Sequence, residues 1–436
     1  MFLALLCLYL IVFFYASNAY ARRAGFWHPV TLFGISGFYY YLSVPLELHL
    51  KGQDIHAVLP AVFYMPNEVR ISIALAAIIA LLGYIAGHHL SGMQRQLATL
   101  RTTQKERAPT SLLAIIFSLC ALLFAIYGFS LFQKLSYHEG NVLRYSDSFF
   151  SFSTSLLTMS IGLLAGAYAF QGRILRTEVL AALAFLIFWG FFTSEKNPLL
   201  VAAMGAGTIW LGGRSRSKWF LALYCAGALA VTVLLPVFSA IRNDATPDWE
   251  AILHAYTLEH QDANGPMMSL SSAMAGDEEP LYGSSYLYAL VSWIPRSVWP
   301  DRPYDLAQTF AYDNLEGWQP GMGLGYSLLA EGYLNFGYFG IFVQYFCIAF
   351  LLNRVWLAVY PVFENRRAIS TWAASLSVLH FQLLVTMHRN HTAVIVQTCL
   401  RELPLFVFCL WLLDQRATSR SKRKLSQTPS LCSKPL

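Results

Sequence analysis

The strongest constraint on this chain is a succession of apolar runs. Each is close to the roughly 20 residues that an α-helix needs to cross the hydrocarbon of a bilayer. The runs fall at about 2–20, 27–46, 70–88, 111–132, 150–170, 177–193, 198–212, 219–241, 326–352, 368–387 and 391–413. Backbone polar groups in lipid must be satisfied within the segment, which favours helices for runs of this length. The expected fold class is therefore all-α, a polytopic integral membrane protein with about eleven transmembrane helices. Composition agrees: 12% of the residues are charged, against about 25% in soluble domains. The sixth and seventh runs are the least distinct, because Glu195, Lys196 and Asn197 interrupt them.

Charge gives the orientation. Most of the 30 Lys and Arg fall in alternate connections: Arg22 and Arg23; Arg95, Arg101, Lys105 and Arg107; Arg173 and Arg176; Arg214, Arg216 and Lys218; Arg354, Arg366 and Arg367; and the tail from Arg416 to Lys434. Short basic loops stay on the cytoplasmic side. An odd number of spans with the N-terminus outside and the C-terminus inside satisfies the alternation. Residues 1–20 lack the basic start of a signal peptide, and Arg22 and Arg23 follow the apolar run. The organisation that results is helices one to eight over 1–241, a long outward loop over 242–325, helices nine to eleven over 326–413, and a basic cytoplasmic tail over 414–436. In a Gram-negative cell the loop faces the periplasm and the protein sits in the inner membrane.

The loop is rich in Asp and Glu, and its bases after Arg242 are Arg296 and Arg302. Pro295, Pro300, Pro303 and Pro320 divide it into short helices. The polar, Gly- and Pro-marked stretch 257–280 reads as flexible. Seven cysteines show no metal-ligand spacing, and those in the apolar runs read as small hydrophobes. Phosphate-loop, dinucleotide, zinc-protease and nucleophile-elbow motifs are absent from the sequence. No metal and no cofactor is expected.

Candidate chemistry gathers on the outward side. Lys196, Arg242, Arg296, Arg302, Arg389 and, on a shorter loop, Arg144 all lie on the face that the positive-inside rule depletes of cations. Cations at a membrane edge point to a functional site, and arginine suits bidentate phosphate contact. Each also has a plainer account. Lys196 can pair with Glu195, Arg242 can favour a helix C-terminus, and Arg296 and Arg302 can pair with Asp301 and Asp305. Arg389 sits between His388 and His391 in a tight turn. Trp299 stands in the proline-tryptophan frame around the two loop arginines, where aromatic side chains suit an interfacial belt or sugar stacking. Glu331 and Asn335 lie at i, i+4 near the outer end of the ninth run and so share a helix face. Glu331 suits a general base or an anchor for the loop through Arg296 or Arg302.

Two motifs, IPRSVWPDRP (294–303) and AEGYLNFGYFGI (330–341), resemble the oligosaccharide repeat-unit polymerases, the Wzy-type O-antigen and exopolysaccharide polymerases. TSEKNPLL (193–200) and MHRNH (387–391) are similar to further landmarks of that family. The resemblance implies a C-type glycosyltransferase-like membrane enzyme that polymerises undecaprenyl-diphosphate-linked repeat units at the periplasmic face, with inversion and without metal. Arginines would stabilise the leaving diphosphate. It assigns Glu331, Arg296, Arg242 and Arg389 to catalysis. Arg302, Lys196 and Asn335 fall to substrate binding, and His391, Trp299 and Arg144 join them as candidates by their position on the outward face rather than by the resemblance. Lipid-linked donor and acceptor, membrane lipid and a chain-length regulator are the expected partners, with no nucleic acid. The alternatives are an O-antigen ligase and a transporter of lipid-linked or anionic glycan.

Overall fold

The computed structural model describes residues 1–24, 28–58, 61–91, 263–294, 298–320, 323–364, 380, 383–384, 386–397 and 399–400. Helices α1 (Phe2–Ala24), α2 (Pro29–Lys51) and α3 (Asn67–Leu90) come first, with a hairpin of β1 (Ile55–Val58) and β2 (Ala61–Tyr64) between α2 and α3. The short helices α4 (Asn264–Ala275), α5 (Ser284–Val291) and α6 (Leu306–Asn314) follow, then α7 (Leu328–Glu364), a 3-10 turn (Met387–Arg389) and α8 (Thr392–Gln397). The described residues are therefore helical apart from one antiparallel hairpin, in register Ile55 with Tyr64, which hydropathy gave no reason to expect. Three helical segments among them are long and apolar enough to cross a membrane by length and composition, Phe2–Tyr20, Asn67–Leu90 and Leu328–Val355, the last of them counted across a break at Phe336 and Gly337. The run expected at 27–46 is helical too, but Tyr39, Tyr40, Tyr41, Pro45 and Glu47 dilute it and it falls short of that standard. The five runs between 111 and 241 lie outside the described residues, as does the tail after 413. Of the last two runs only 380, 383–384, 386–397 and 399–400 are described.

Local signals set the ends. Pro29 opens α2, where its missing N–H costs nothing, and His28 Nδ1 accepts from Val30 N at 3.3 Å. Gly52 closes the helix with φ of 64°. The connection beyond it is fixed by buried Arg70, which donates to Gln53 O at 2.6 Å and Asp54 Oδ1 at 2.7 Å.

The core forms where α3 packs along α7. A Cβ on Gly83 would stand 2.6 Å from Phe342 O, and one on Gly87 would stand 2.2 Å from Phe346 O. Two glycines four residues apart thus let the backbones touch, the small-xxx-small device of membrane helices. Asn353 Nδ2 donates to His88 O at 3.2 Å and also to Ser91 Oγ. Residues 83, 87 and 91 meet 342, 346 and 353 in ascending order, so the two helices run parallel. Two parallel spans require an odd number of crossings between them.

Two expectations need correcting. The ninth run, 326–352, is not one helix. Phe336 (φ −148°) and Gly337 (φ 62°, ψ −151°) break α7, and the Gly337 backbone angles are ones that essentially only glycine adopts. The short arm 328–335 folds back on the long arm. A Cβ on Gly340 would lie 2.2 Å from Gly332 O, and Gln344 Nε2 reaches Glu331 Oε2 at 3.2 Å. Thirteen residues of straight helix would separate that pair by about 20 Å. Glu331 and Asn335 still lie one turn apart, but on the short arm rather than on a helix that continues through the run. The second correction concerns 257–280. Residues 264–275 are α4, a packed helix in which Met267, Ser269 and Leu270 are fully buried. Small side chains give it the close approach: Gly265 lies directly against Leu324 O. Ser269 Oγ accepts from Ser327 N, and Ser271 Oγ donates to Tyr64 O, both at 3.0 Å. Ser269 also donates to Pro266 O at 3.0 Å, so Ser269 and Ser271 are both satisfied by neighbouring backbone.

Candidate functional site

The break in α7 creates the site. It turns Glu331 and Asn335 away from a simple helix face and into the junction of three chain segments. Glu331 is fully buried. Its Oε2 accepts from Thr392 N at 2.6 Å, from Thr392 Oγ1 at 2.7 Å and from Gln344 Nε2 at 3.2 Å. Gln344 Nε2 also donates to Thr392 Oγ1 at 3.1 Å. Asn335, one turn on, holds the other side. Its Oδ1 accepts from Gly283 N at 2.6 Å, and its Nδ2 donates to Ser285 Oγ at 2.8 Å and Glu331 O at 2.7 Å. The chain turns there through Tyr282 (φ 47°) and Gly283 (φ 89°), so Asn335 pins the strained entry to α5. The two residues together fasten the MHRNH turn to α5 through the short arm of α7.

The loop after α5 is held separately. Arg302 Nη1 donates to Ser292 O, and to Ile294 O at 2.7 Å. Its guanidinium thus serves backbone carbonyls rather than Glu331, and the expected Glu331–Arg302 pair does not form. Trp299 is partly exposed, and its carbonyl accepts from Arg302 N at 3.2 Å. Asp305 caps α6 by accepting from Gln308 N at 2.9 Å, while the same Oδ1 stands 3.9 Å from His391 Nε2. Tyr326 presents its ring edge to His391, with centroids 6.3 Å apart. The Tyr326 hydroxyl donates to Glu278 Oε2 at 2.5 Å. Burial first, and the Glu278 charge second, push the Tyr326 hydroxyl well above the ordinary tyrosine range. Burial likewise raises Glu278, against the opposing pull of the Tyr326 hydrogen bond.

The turn carrying Arg389 is seated from below. His388 is fully buried, and its Nδ1 lies 2.9 Å from the Tyr41 hydroxyl, which in turn lies 2.5 Å from that of Tyr345. Phe33, Tyr40 and Tyr41 surround the His388 ring. Arg389 and Asn390 are partly exposed, whereas His391 is buried. The backbone of Gly325 (φ 76°) passes beside the Arg389 carbonyl.

Of the residues singled out from the sequence, Glu331, Asn335, Arg389 and His391 come together around one junction. Arg302 and Trp299 stand in the loop that follows α5. Arg144, Lys196, Arg242 and Arg296 lie outside the described residues. Sequence reading missed Gln344, Thr392 and Ser285, and considered Asp305 only as an arginine partner. Gln344 and Thr392 lie 13 and 61 residues from Glu331, and only the break in α7 brings Gln344 within reach. No group of three His, Cys, Asp or Glu suited to a metal ion occurs among the described residues.

Residues 301–420 match the model of the family described as O-antigen polysaccharide polymerase Wzy. That stretch belongs to the Wzy family. The match contains Arg302, Asp305, Glu331, Asn335, Arg389 and His391, while Arg144, Lys196, Arg242, Arg296 and Trp299 precede it. The family supports a membrane-bound O-antigen polymerase, an enzyme of the glycosyltransferase type acting on lipid-linked oligosaccharide repeat units. No curated protein and no solved structure matches the chain.

Proposed function

We propose that the protein joins undecaprenyl-diphosphate-linked oligosaccharide repeat units at the periplasmic face of the inner membrane, by an inverting transfer that uses no metal. One observation carries this reading beyond the family match. A buried carboxylate and a buried amide tie the Arg389 turn to the start of α5, and Ser292 Oγ donates to Ala393 O at 3.4 Å just ahead of the loop that bears Trp299 and Arg302. Arg302 and Arg389, far apart in sequence, thus stand on segments that meet at one junction.

The chemistry follows from that placement. A hydroxyl of the acceptor unit attacks the anomeric carbon of the donor glycan. The bond from that carbon to the diphosphate oxygen breaks, and the electron pair leaves with the diphosphate. Arg389, Arg296 and Arg242 stabilise the charge that develops there, where a partly dry surrounding strengthens each contact. Lys196 and Arg144 extend the phosphate contacts. Trp299, on the exposed side of the loop, offers a face to a sugar ring. Arg302 acts through the loop by binding its carbonyls. Glu331 is the fastening of the turn and Asn335 the fastening of α5. The exposed apolar side chains Leu287, Leu290 and Trp293 on and after α5 suit that helix to headgroup depth, where lipid-linked phosphates reside.

The parallel run of α3 and α7 agrees with the parity of the basic-loop alternation, and the periplasmic assignment itself rests on the sidedness of those loops. A ladder assay tests the whole reading. Purified protein in lipid nanodiscs is given single lipid-linked repeat units accumulated by cells lacking it. The expected product is a ladder of longer lipid-linked glycans, in the presence of EDTA as in its absence. Transfer of the glycan to added lipid A, with no ladder, would identify a ligase instead.

A further inference from the structure

We propose that His391, oriented by Asp305, is the catalytic residue that accepts the proton of the attacking hydroxyl, in the buried polar neighbourhood it shares with Glu331 and Gln344. The proposal rests on the polymerase reading and assigns within it a role that the arginines cannot fill.

The first observation is a set of buried polar atoms with nothing to bind. His391 is 1% exposed, and neither of its ring nitrogens has a hydrogen-bond partner among the described residues. The same holds for Glu331 Oε1 and Gln344 Oε1. These atoms belong to one neighbourhood, because Thr392, next in chain to His391, donates twice to Glu331, and Gln344 donates to both Thr392 and Glu331. Buried polar atoms in native proteins are paired in the great majority of cases, and a cluster of exceptions calls for a guest. Two acceptor oxygens and an imidazole suit a hydroxyl-bearing guest: the oxygens take its neighbouring hydroxyl protons, and the ring takes the one that must leave.

The second observation is the carboxylate beside the ring. Asp305 Oδ1 lies 3.9 Å from His391 Nε2, too far for a hydrogen bond and within ion-pair reach. Such contacts are often long before substrate is bound. Asp305 is itself fixed, since it caps α6 on Gln308 N. The charged and titratable groups around the imidazole are Asp305 ahead of α6, Tyr326 with its Glu278 partner ahead of α7, Glu331 behind Thr392, and Arg389 in its own turn.

Glu331 serves this step less well than His391. Its Oε2 already accepts three hydrogen bonds that hold the turn, so gaining a proton would strain the fastening in each cycle. His391 holds no such duty. In the step, the acceptor O–H bond breaks, its proton passes to a ring nitrogen, and its oxygen forms the new bond to the anomeric carbon. The carbon–oxygen bond to the diphosphate breaks with its electron pair. The imidazolium formed faces the Asp305 carboxylate and then loses its proton to solvent. Arg389, two residues away, places a phosphate-binding cation beside the proton acceptor.

The test uses wild-type and variant protein in nanodiscs with the same accumulated lipid-linked units. His391→Gln should lower kcat by about a hundred- to ten-thousandfold with KM changed less than about threefold. His391→Ala should regain activity with added imidazole in a saturable manner, which a merely structural histidine would not do. Asp305→Asn keeps the cap on Gln308 and should lower kcat at least tenfold with KM and melting temperature held. Turnover of His391→Gln within threefold of wild type, or a loss confined to KM, would overturn the assignment. If His391→Gln fails to insert, Asp305→Asn decides: kcat within threefold of wild type overturns the dyad. A wild-type protein that makes no ladder removes the polymerase reading, and the dyad with it. A wild-type ladder with active His391 and Asp305 variants removes the dyad alone.

Discussion

The packing of α3 on the long arm of α7 and the junction around Glu331 are held by opposite means. The first is a shape match in which glycine backbones touch and large side chains fill the space around them, among them Tyr84 stacked on Phe33 with centroids 3.9 Å apart. The second is a polar junction in which two side chains, Glu331 and Asn335, make most of the connections between segments far apart in sequence. In lipid, close packing supplies much of helix association, while a single interhelical hydrogen bond adds only about 0.6 kcal/mol on average. The difference teaches that the parallel helix pair is the scaffold and the junction the adjustable part. The residues that matter for chemistry therefore sit where stability is concentrated in few bonds.

The largest effect expected from breaking this contrast is on the scaffold. Gly87→Leu forces a side chain into the Phe346 backbone, and no neighbouring side-chain rotamer can relieve a clash with a carbonyl oxygen. The variant should fail to accumulate as folded protein, seen as loss of the monodisperse peak in detergent. Gly83→Ala, with slightly more room, should fold with a lowered melting temperature.

Next comes Arg389, whose loss should leave the scaffold intact. Arg389→Ala should insert normally and shorten or abolish the glycan ladder. Loss of a charge-assisted phosphate contact costs about 1.5–3 kcal/mol, or about ten- to a hundredfold in rate. Arg389→Lys should recover part of it, since it keeps the charge and loses the fork. A normal ladder from Arg389→Ala would remove the turn from the site.

A smaller change sharpens the junction itself. Asn335→Ala frees Gly283 N and Ser285 Oγ, and should cost about 1–3 kcal/mol through unsatisfied buried groups. Its signature is faster hydrogen exchange at 283–287 with α3 unchanged. Exchange rising equally in both places would mean that junction and scaffold unfold as one unit.

The smallest effect is a gain. Glu278→Gln keeps an acceptor for the Tyr326 hydroxyl and removes a buried charge. A carboxylate whose folded-state value is raised binds more protons folded than unfolded, so it costs stability as pH rises above the ordinary carboxylate range. The variant should melt higher than wild type at pH 8, with the gap narrowing toward pH 4. A gap that widens toward acid would contradict the burial of Glu278.

How much of this was legible in the sequence depended on how local the cause was. Spans α1 and α3 fall within a few residues of the apolar runs, because hydropathy is a property of neighbouring residues. The break at Phe336 and Gly337 was not legible, since a glycine in an apolar run reads equally well as part of a packed membrane helix. α4 was read as flexible because its Ser, Gly and Pro letters resemble a linker. Its burial comes from backbone partners at Tyr64, Leu324 and Ser327 that no window of sequence contains. Glu331, Asn335, Arg389 and His391 were singled out from their charge, polarity and position, and the fold brings them to one place. What holds Glu331 was not foreseeable, because its partners at 344 and 392 meet it only after α7 folds back.

Glu331→Gln tests the central claim most directly, with thermal melting, binding of the lipid-linked unit and turnover measured on one preparation. The carboxylate is read as the fastening of the Arg389 turn, so melting temperature and turnover should fall together, and Thr392→Val should reproduce both losses. Unchanged melting and binding, with turnover down a hundredfold or more, would contradict the account and make Glu331 the base.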